Sequence, residues 1–245
     1  MRTLFVCLLL SLPGLSLAEQ LNIAVAANFK APLETLIEHF PAEADDKIRV
    51  SSASTGVLFT QIVNGAPYDI FLSADSLRPA LLVDRYLVVP ESHFTYALGE
   101  LVWWHPHRRN QALAELTKLD RLAIANARTA PYGAAAQETL AALLPAGVDG
   151  PKLISGTNIA QTLQFVQSGN VRDGLVARSQ MVQLGIPATQ LTAVPAEFHQ
   201  PIRQDAVVLK RASENDLAHR FAAFLKSETG RDLISRQGYS SIGRP

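Results

Sequence analysis

Cysteine is nearly absent from this chain of 245 residues, and its charges cancel. The one cysteine, Cys7, lies in an apolar stretch at the amino terminus, so neither disulfide nor thiol chemistry is expected in the rest of the chain. With 22 basic and 22 acidic side chains, the protein has no excess charge to attract nucleic acid or an anionic membrane surface. Beyond the amino terminus, no apolar run approaches the ~20 residues that a membrane-spanning helix needs.

The sequence frames that mark common catalytic sites are also missing. Around Ser51, Ser52 and Ser54 there is neither a Gly-x-Ser-x-Gly nor a Ser-x-x-Lys frame, and both the phosphate loop and the Gly-x-Gly-x-x-Gly fingerprint are absent. Asp69 and Asp75 stand at opposite ends of a predicted strand, about 20 Å apart at ~3.3 Å per residue, which is too far for an acid/base pair. We therefore predict no catalytic residue and no enzyme activity, with a serine hydrolase using Ser54 or Thr55 as the alternative.

Two further tracts have an ordinary structural interpretation. The segment His105-Pro106-His107 has no cysteine or paired acid to complete a metal-ligand set, so a solvated loop is predicted there. Trp103 and Trp104 precede it in a long extended segment, and they are predicted to pack between lobes rather than to stack a ligand.

Residues 1 to 18 have the pattern of a cleaved secretory signal. Arg2 precedes an apolar core, and Ser16-Leu17-Ala18 ends the segment with small residues. We expect cleavage after Ala18 and export to a bacterial periplasm, a compartment that suits a chain without cysteine. The mature chain would then carry 21 basic and 22 acidic side chains, because Arg2 is the only charged residue removed.

After the signal, apolar runs of strand length alternate with amphipathic stretches of helix length. This alternation predicts an α/β fold with parallel sheets. Two long extended segments, 94–106 and 202–211, interrupt the pattern and predict two crossings between two Rossmann-like lobes. The predicted limits are 19–96 plus 204–245 for lobe I and 97–203 for lobe II. The closing segment 214–238 is predicted as a single helix.

Four predicted turns between a strand and a helix carry small or amide side chains and no acid. They are Ala27-Asn28-Phe29, Ser54-Thr55-Gly56, Ala130-Pro131-Tyr132-Gly133 and Thr157-Asn158-Ile159. Helix N-termini present unpaired N–H groups and the positive end of the helix dipole, so such turns can hold an anion without lysine or arginine. Serine, threonine and asparagine are equally ordinary helix caps, so the turns alone leave a purely structural role open.

Four stretches together resemble the periplasmic molybdate-binding proteins of ABC transporters: LNIAVAANF, SSASTGVLFTQIVNGAPYDIFLSAD, APYGAAAQETL and GTNIAQTL. The resemblance runs in order from Leu21 to Gly238. It implies the type II periplasmic-binding-protein fold, in which two α/β lobes joined by two crossover segments hold an oxyanion in the cleft between them.

The resemblance also implies a ligand and a set of site residues. The family's uncharged donors correspond by position to Asn28, Thr55, Tyr132 and Ile159, with Ala27 and Ser54 adjoining, and Tyr132 and Ile159 would act through their backbone N–H groups. Ala177 stands where some members place a tyrosine hydroxyl, and Asn28 where some place serine. The implied ligand is molybdate or tungstate, bound as an oxyanion with no other cofactor, and sulfate or another oxyanion is the alternative. The implied partner is an ABC permease in the inner membrane, with the binding protein itself a monomer.

Overall fold

The computed structural model describes residues 19–240 as two α/β lobes, each built on a five-stranded sheet. The predicted signal segment and its cleavage point after Ala18 lie outside the described residues. No helix within residues 19–240 combines the length and the apolar character that a membrane span needs.

The first sheet has the strand order β2-β1-β3-β10-β4 and the second has the order β7-β6-β8-β5-β9. Apolar side chains occupy most strand positions of β1, β3, β5, β6, β8 and β10, as expected where helices cover both faces of a sheet. The strands are β1 Gln20–Ala26, β2 Lys47–Ala53, β3 Ile70–Leu72, β4 Phe94–Gly99, β5 Leu101–Trp104, β6 Arg121–Ala125, β7 Lys152–Gly156, β8 Gly174–Ala177, β9 Leu191–Ala193 and β10 Ile202–Val208.

Helices connect most of the strands. The α-helices are α1 Lys30–His39, α2 Thr55–Val63, α3 Leu77–Asp84, α4 Pro131–Leu143, α5 Ile159–Gln167, α6 Arg178–Gln183, α7 Asp216–Lys226 and α8 Glu228–Arg236. A short 3-10 turn, Ala27–Phe29, lies between β1 and α1. The first ligand turn predicted from the sequence is therefore a turn of its own, ahead of the first α-helix.

The two sheets are mixed rather than wholly parallel. Strand β1 pairs in parallel with β2 and β3, and β6 pairs in parallel with β7 and β8, as predicted. The crossing strands run the other way: β10 is antiparallel to β3 and β4, and β5 is antiparallel to β8 and β9. The prediction of parallel sheets is wrong for these strands, because a strand that arrives directly from the other lobe has no helical crossover to reverse its direction.

The two crossings predicted from the sequence are present, but the second lies between Ala193 and Ile202, just before the predicted segment 202–211. Strand β4 ends in the first sheet at Gly99 and β5 begins in the second at Leu101; β9 ends in the second sheet at Ala193 and β10 begins in the first at Ile202. The fold class is the two-lobed one expected from the sequence. The exact residue limits given above for the two lobes stay a prediction.

The tandem tryptophans lie inside the second lobe, so the prediction that they pack between lobes is wrong. Trp103 is fully buried, and its Nε1 donates to the Asp173 carboxylate at 3.1 Å. Trp104 packs in a separate cluster on the other face of the sheet. A strand that is central in its sheet buries both faces, and β5 lies between β8 and β9.

His105 is also buried rather than solvated, which corrects the prediction for that tract. Its Nε2 lies 3.1 Å from the Thr192 hydroxyl and its Nδ1 lies 3.1 Å from the Arg108 carbonyl oxygen, whereas His107 is exposed. Within residues 19–240 no group of three or more His, Cys, Asp or Glu side chains could hold a metal ion.

The closing segment forms two helices, α7 and α8, instead of the single helix predicted. The break falls at Ser227, whose side chain accepts a hydrogen bond from the N–H of Gly230 at 3.1 Å and so caps α8. Gly230 is required at that turn because an added Cβ would lie 2.2 Å from the carbonyl oxygen of Phe224. Together the two helices cover the first lobe.

Candidate functional site

A small cavity lies between the two lobes, where all four predicted turns meet. Its interior volume is about 10 Å³. Sites for nucleotides, sugars or drug-sized ligands are tens of times larger, so this cavity suits a compact ligand of a few heavy atoms. It is lined by Ala26, Ala27, Asn28, Ser54, Thr55, Ala74, Ala130, Pro131, Tyr132, Asn158 and Ile159.

All six residues predicted as ligand contacts therefore line one cavity. They are Ala27, Asn28, Ser54, Thr55, Tyr132 and Ile159. No residue in the cavity lining described here carries a charged side chain. Helices α2, α4 and α5 each begin at the cavity. Three helix N-termini give it a positive electrostatic character, which favours an anion.

The α2 turn offers hydroxyl and backbone donors. Ser54 is at the N-cap position of α2 but its side chain caps no backbone N–H, and its buried Oγ has no hydrogen-bond partner within residues 19–240. The Oγ1 of Thr55 accepts from the N–H of Ala74 at 3.0 Å, which leaves the hydroxyl hydrogen of Thr55 available for another acceptor. The backbone N–H of Thr55, in the first turn, has no acceptor inside its own helix.

The second lobe contributes two more first-turn N–H groups. In α4, Pro131 occupies the start of the helix, where its missing N–H costs nothing, and Tyr132 follows with a backbone N–H that has no acceptor in the helix. In α5, the Asn158 side chain accepts from the N–H groups of Ala160 and Gln161 at 2.9 and 3.0 Å. The cap therefore leaves the N–H of Ile159 for the cavity.

The turn Ala27–Phe29 presents its backbone, because the side chain of Asn28 is engaged inside the protein. The Asn28 Nδ2 donates to Gln204 Oε1 at 2.9 Å and to the Tyr239 hydroxyl at 3.0 Å. The Tyr239 hydroxyl in turn donates to the Asn28 carbonyl oxygen at 3.0 Å. These bonds fix the turn, and the first N–H groups of a 3-10 turn have no acceptor within it.

The hydroxyl of Tyr132 also faces the protein. It accepts from Gln204 Nε2 at 3.2 Å. Burial raises the pKa of the Tyr132 and Tyr96 phenols well above their ordinary value, and it raises the pKa of Tyr239 as well. These three phenols around the cavity therefore remain neutral, so they place no negative charge next to an anion.

Contacts between the lobes close the cavity on one side. The N–H of Gly56 donates to the carbonyl oxygen of Thr129 in the second lobe at 2.8 Å. Arg78, on α3 of the first lobe, donates from Nη2 to the carbonyl oxygen of Arg128 at 3.1 Å and is paired with Asp75. The lobes are thus in contact immediately beside the α2 turn, and the cleft is closed.

Several residues of the site's surroundings were not singled out from the sequence. Gln204, Tyr96 and Tyr239 are buried and form the hydrogen-bonded layer beneath the cavity. Gln204 carried little signal, because it stands between Arg203 and Asp205 in the polar first half of β10, although a buried polar side chain must have partners. Nothing in the sequence indicates which partners they are.

A larger recess lies elsewhere on the second lobe but does not suit the same role. Its volume is about 560 Å³, and it includes Arg108, Arg121, Arg172 and Asp173 among its lining residues. Arg121 and Asp173 stand at or just before the amino ends of β6 and β8, whereas ligands in open α/β sheets bind beyond the carboxyl ends of the strands. The candidate site is therefore the small cavity between the lobes.

Asp69 and Asp75, the two acids that flank β3, have separate structural roles. Asp69 Oδ2 accepts from the backbone N–H of Asn22 at 2.7 Å, and Asp69 also pairs with Arg211 at 3.0 Å. Asp75 caps the first turn of α3, because its Oδ1 accepts from the N–H of Arg78 at 2.9 Å. Neither carboxylate lines the cavity.

Two α/β lobes, joined by two crossings around a small closed cavity, define a solute-binding protein of the periplasmic type. The chain belongs to the family of bacterial extracellular solute-binding proteins, which matches residues 21–240. It is 39% identical to the molybdate-binding protein ModA of Azotobacter vinelandii, over 91% of this chain and 90% of that one. It is 38% identical to the molybdate-binding protein ModA of Rhodobacter capsulatus, over 91% of this chain and 88% of that one.

The solved structure of the Azotobacter vinelandii periplasmic molybdate-binding protein has the same fold. It superposes with a TM-score of 0.82 at 31% sequence identity, covering 91% of this chain and 99% of that chain. The resemblance stated from four sequence stretches is confirmed by these comparisons.

Proposed function

We propose that this protein captures molybdate or tungstate in the bacterial periplasm and delivers it to an ABC permease of the inner membrane. The observation that carries the proposal is the cavity itself, in which three helix N-termini and buried hydroxyls converge and no charged side chain lines the wall. The names of the relatives above support molybdate as the ligand and the periplasm as the compartment. The predicted signal segment agrees with export, and we propose a monomer.

The donors at the cavity explain how a dehydrated dianion is bound without a countercharge. Each hydrogen bond to a charged group contributes about 1.5 to 3 kcal/mol net, so several together offset the loss of hydration. The proposed donors are the backbone N–H groups of Ala27, Asn28, Thr55, Tyr132 and Ile159 and the hydroxyls of Ser54 and Thr55. Because no lysine or arginine attracts every anion alike, the spacing of the donors selects the ligand.

Closure of the lobes is part of the proposed mechanism. Two of the four turns belong to each lobe, so the full donor set exists only when the lobes meet. The ligand therefore favours the closed form, which the permease would recognise as loaded. We propose lobe limits of 19–96 plus 204–245 and of 97–203, as the sequence suggests.

Calorimetric titration with molybdate, tungstate, sulfate and hydrogen phosphate tests the ligand. We expect molybdate and tungstate to bind at micromolar concentration or below, and sulfate to bind more weakly because it is smaller and leaves the contacts stretched. Hydrogen phosphate should bind least, since its proton needs an acceptor and no carboxylate lines the cavity. Absence of heat from molybdate and tungstate at micromolar protein would reject the proposal, and tighter binding of sulfate would replace the ligand by sulfate.

We propose no catalysis at this site. A serine nucleophile needs a base within hydrogen-bond reach, and Ser54 Oγ has no hydrogen-bond partner within the described chain. Turnover of an activated ester that disappears in Ser54→Ala would contradict this, and we expect no turnover in either protein.

A further inference from the structure

Gln204 is a fully buried amide on β10, the strand that returns the chain from the second lobe to the first. The pairing of β10 with β4 shifts in register between Gln204 and Asp205. Such an irregularity redirects side chains locally, and here both consecutive side chains are buried. Gln204 does not line the cavity, so any effect it has on a ligand passes through its neighbours.

The amide of Gln204 joins a ligand turn of one lobe to a ligand turn of the other. Its Oε1 accepts from Asn28 Nδ2 at 2.9 Å and from the Tyr96 hydroxyl at 3.0 Å. Its Nε2 donates to the Tyr132 hydroxyl at 3.2 Å. Asn28 belongs to the turn Ala27–Phe29 of the first lobe, and Tyr132 to the first turn of α4 in the second.

The contact between Gln204 and Tyr132 also lies beside the first crossing, where the chain leaves the first lobe after β4. A Cβ added to Gly99, the last residue of β4, would be 2.3 Å from the Tyr132 hydroxyl oxygen and 2.7 Å from Gln204 Nε2. The glycine therefore leaves room for the two side chains to meet where the chain passes between lobes. An amide donates and accepts at once with fixed geometry, so its position determines that of both turns.

We propose that Gln204 is a positioning residue that holds the donor turns of the two lobes at the spacing the bound oxyanion requires. The inference rests on the proposed function. It assigns to Gln204 both part of the affinity for the oxyanion and part of the discrimination between oxyanions of different size, although the residue touches no ligand.

Gln204→Met tests the assignment, since methionine preserves the length and removes the hydrogen bonds. We expect molybdate affinity to fall roughly tenfold or more, about the loss of one well-placed hydrogen bond, and the ratio of molybdate to sulfate affinity to fall as well. Tyr132→Phe removes the shared partner while keeping the backbone N–H. Both substitutions break the same hydrogen bond, the one between Gln204 and Tyr132. The double variant should therefore lose less affinity than the sum of the two single losses, expressed as free energies.

Thr139→Val is the matched control. Thr139 is a fully buried residue of α4 whose hydroxyl donates to the Ala135 carbonyl oxygen at 2.8 Å, away from the cavity lining. The Thr139→Val substitution should lower the melting temperature of the ligand-free protein. It should leave the molybdate and sulfate affinities within twofold of the wild-type values. If Gln204→Met does not fold, Gln204→Asn, which shortens the reach by one methylene, is measured in its place with the same expectation.

The results separate the two proposals. Wild-type protein that binds no oxyanion rejects the proposed function and this inference with it. Wild-type protein that binds molybdate, with a Gln204 variant that melts lower but keeps its affinity and its molybdate-to-sulfate ratio, rejects this inference alone. Fully additive losses in the double variant also overturn it, because they would show that Gln204 and Tyr132 act independently.

Discussion

Replacing Gly56 by alanine tests whether closure of the lobes is part of binding. Gly56 follows Thr55 in α2, and its N–H donates to the Thr129 carbonyl oxygen at 2.8 Å. An added Cβ would lie 3.1 Å from the Thr129 Cα, 3.2 Å from the Thr129 oxygen and 3.1 Å from Arg78 Nη2. These separations are shorter than the ~3.5 Å at which carbon contacts become favourable, so the methyl group crowds Thr129, which must shift by a few tenths of an ångström in the closed form.

The cost falls mainly on the closed form, since Thr129 belongs to the other lobe. Overpacking typically costs about 1 to 3 kcal/mol, and each ~1.4 kcal/mol lowers apparent affinity tenfold. We therefore expect molybdate to bind roughly 10- to 100-fold more weakly to Gly56→Ala. The melting temperature of the ligand-free protein should not fall, because alanine is the better helix former.

Calorimetry gives the affinity, and small-angle X-ray scattering gives the radius of gyration with and without molybdate. Val57→Ala, at the exposed neighbouring position, is the matched control and should leave both measurements unchanged. Wild-type affinity in Gly56→Ala, with normal compaction on adding molybdate, would refute the reasoning, because the Gly56 contact would then not form on closure.

Two further predictions concern the hydroxyl donors and the buried phenols. Ser54→Ala removes no hydrogen bond within the described chain, so the ligand-free melting temperature should stay equal or rise while calorimetry shows molybdate affinity about tenfold lower; wild-type affinity would remove Ser54 from the donor set. For Tyr96, Tyr132 and Tyr239, burial raises the pKa. The unfolded chain releases these protons near pH 10 and the folded protein keeps them, so their contribution to stability is complete below about pH 10 and declines as pH rises above it. Urea unfolding at pH 8, 10 and 11 measures the decline, and stability that rises over this range would contradict it.

The fold was largely predictable because its signals are local. Alternating apolar runs and amphipathic stretches mark strands and helices one at a time, and two unusually long extended segments mark the crossings. The antiparallel direction of β5 and β10 relative to their neighbours was not predictable, since it depends on the sheet that each strand enters after a crossing. The break at Ser227 could have been found: a serine ahead of Glu228 is an ordinary helix cap within an otherwise periodic segment.

The candidate site was predictable to the level of its turns and no further. Each turn carries a local signature of small and amide residues at a helix start, and the family resemblance assigned ligand contacts to those turns. The hydrogen-bond partners of the Asn28 side chain are Gln204 and Tyr239, which lie 176 and 211 residues after Asn28 in the chain. A contact between residues so far apart leaves no periodic trace in one sequence, so the engagement of the Asn28 amide could not be anticipated.

For the proposed oxyanion, the uncharged lining of the cavity makes geometry, rather than charge, the source of selectivity. An arginine in the wall would attract every anion, and its long side chain could follow ligands of different size. Backbone N–H groups at helix starts cannot move without the helix, so they favour an anion whose oxygens already match their spacing. Arg78 is consistent with an uncharged site, because its charge is paired with Asp75 and it lies beside the contact between Gly56 and Thr129 rather than in the cavity wall. It follows that substitutions which loosen the buried layer around Gln204 should reduce discrimination between oxyanions even where total binding survives.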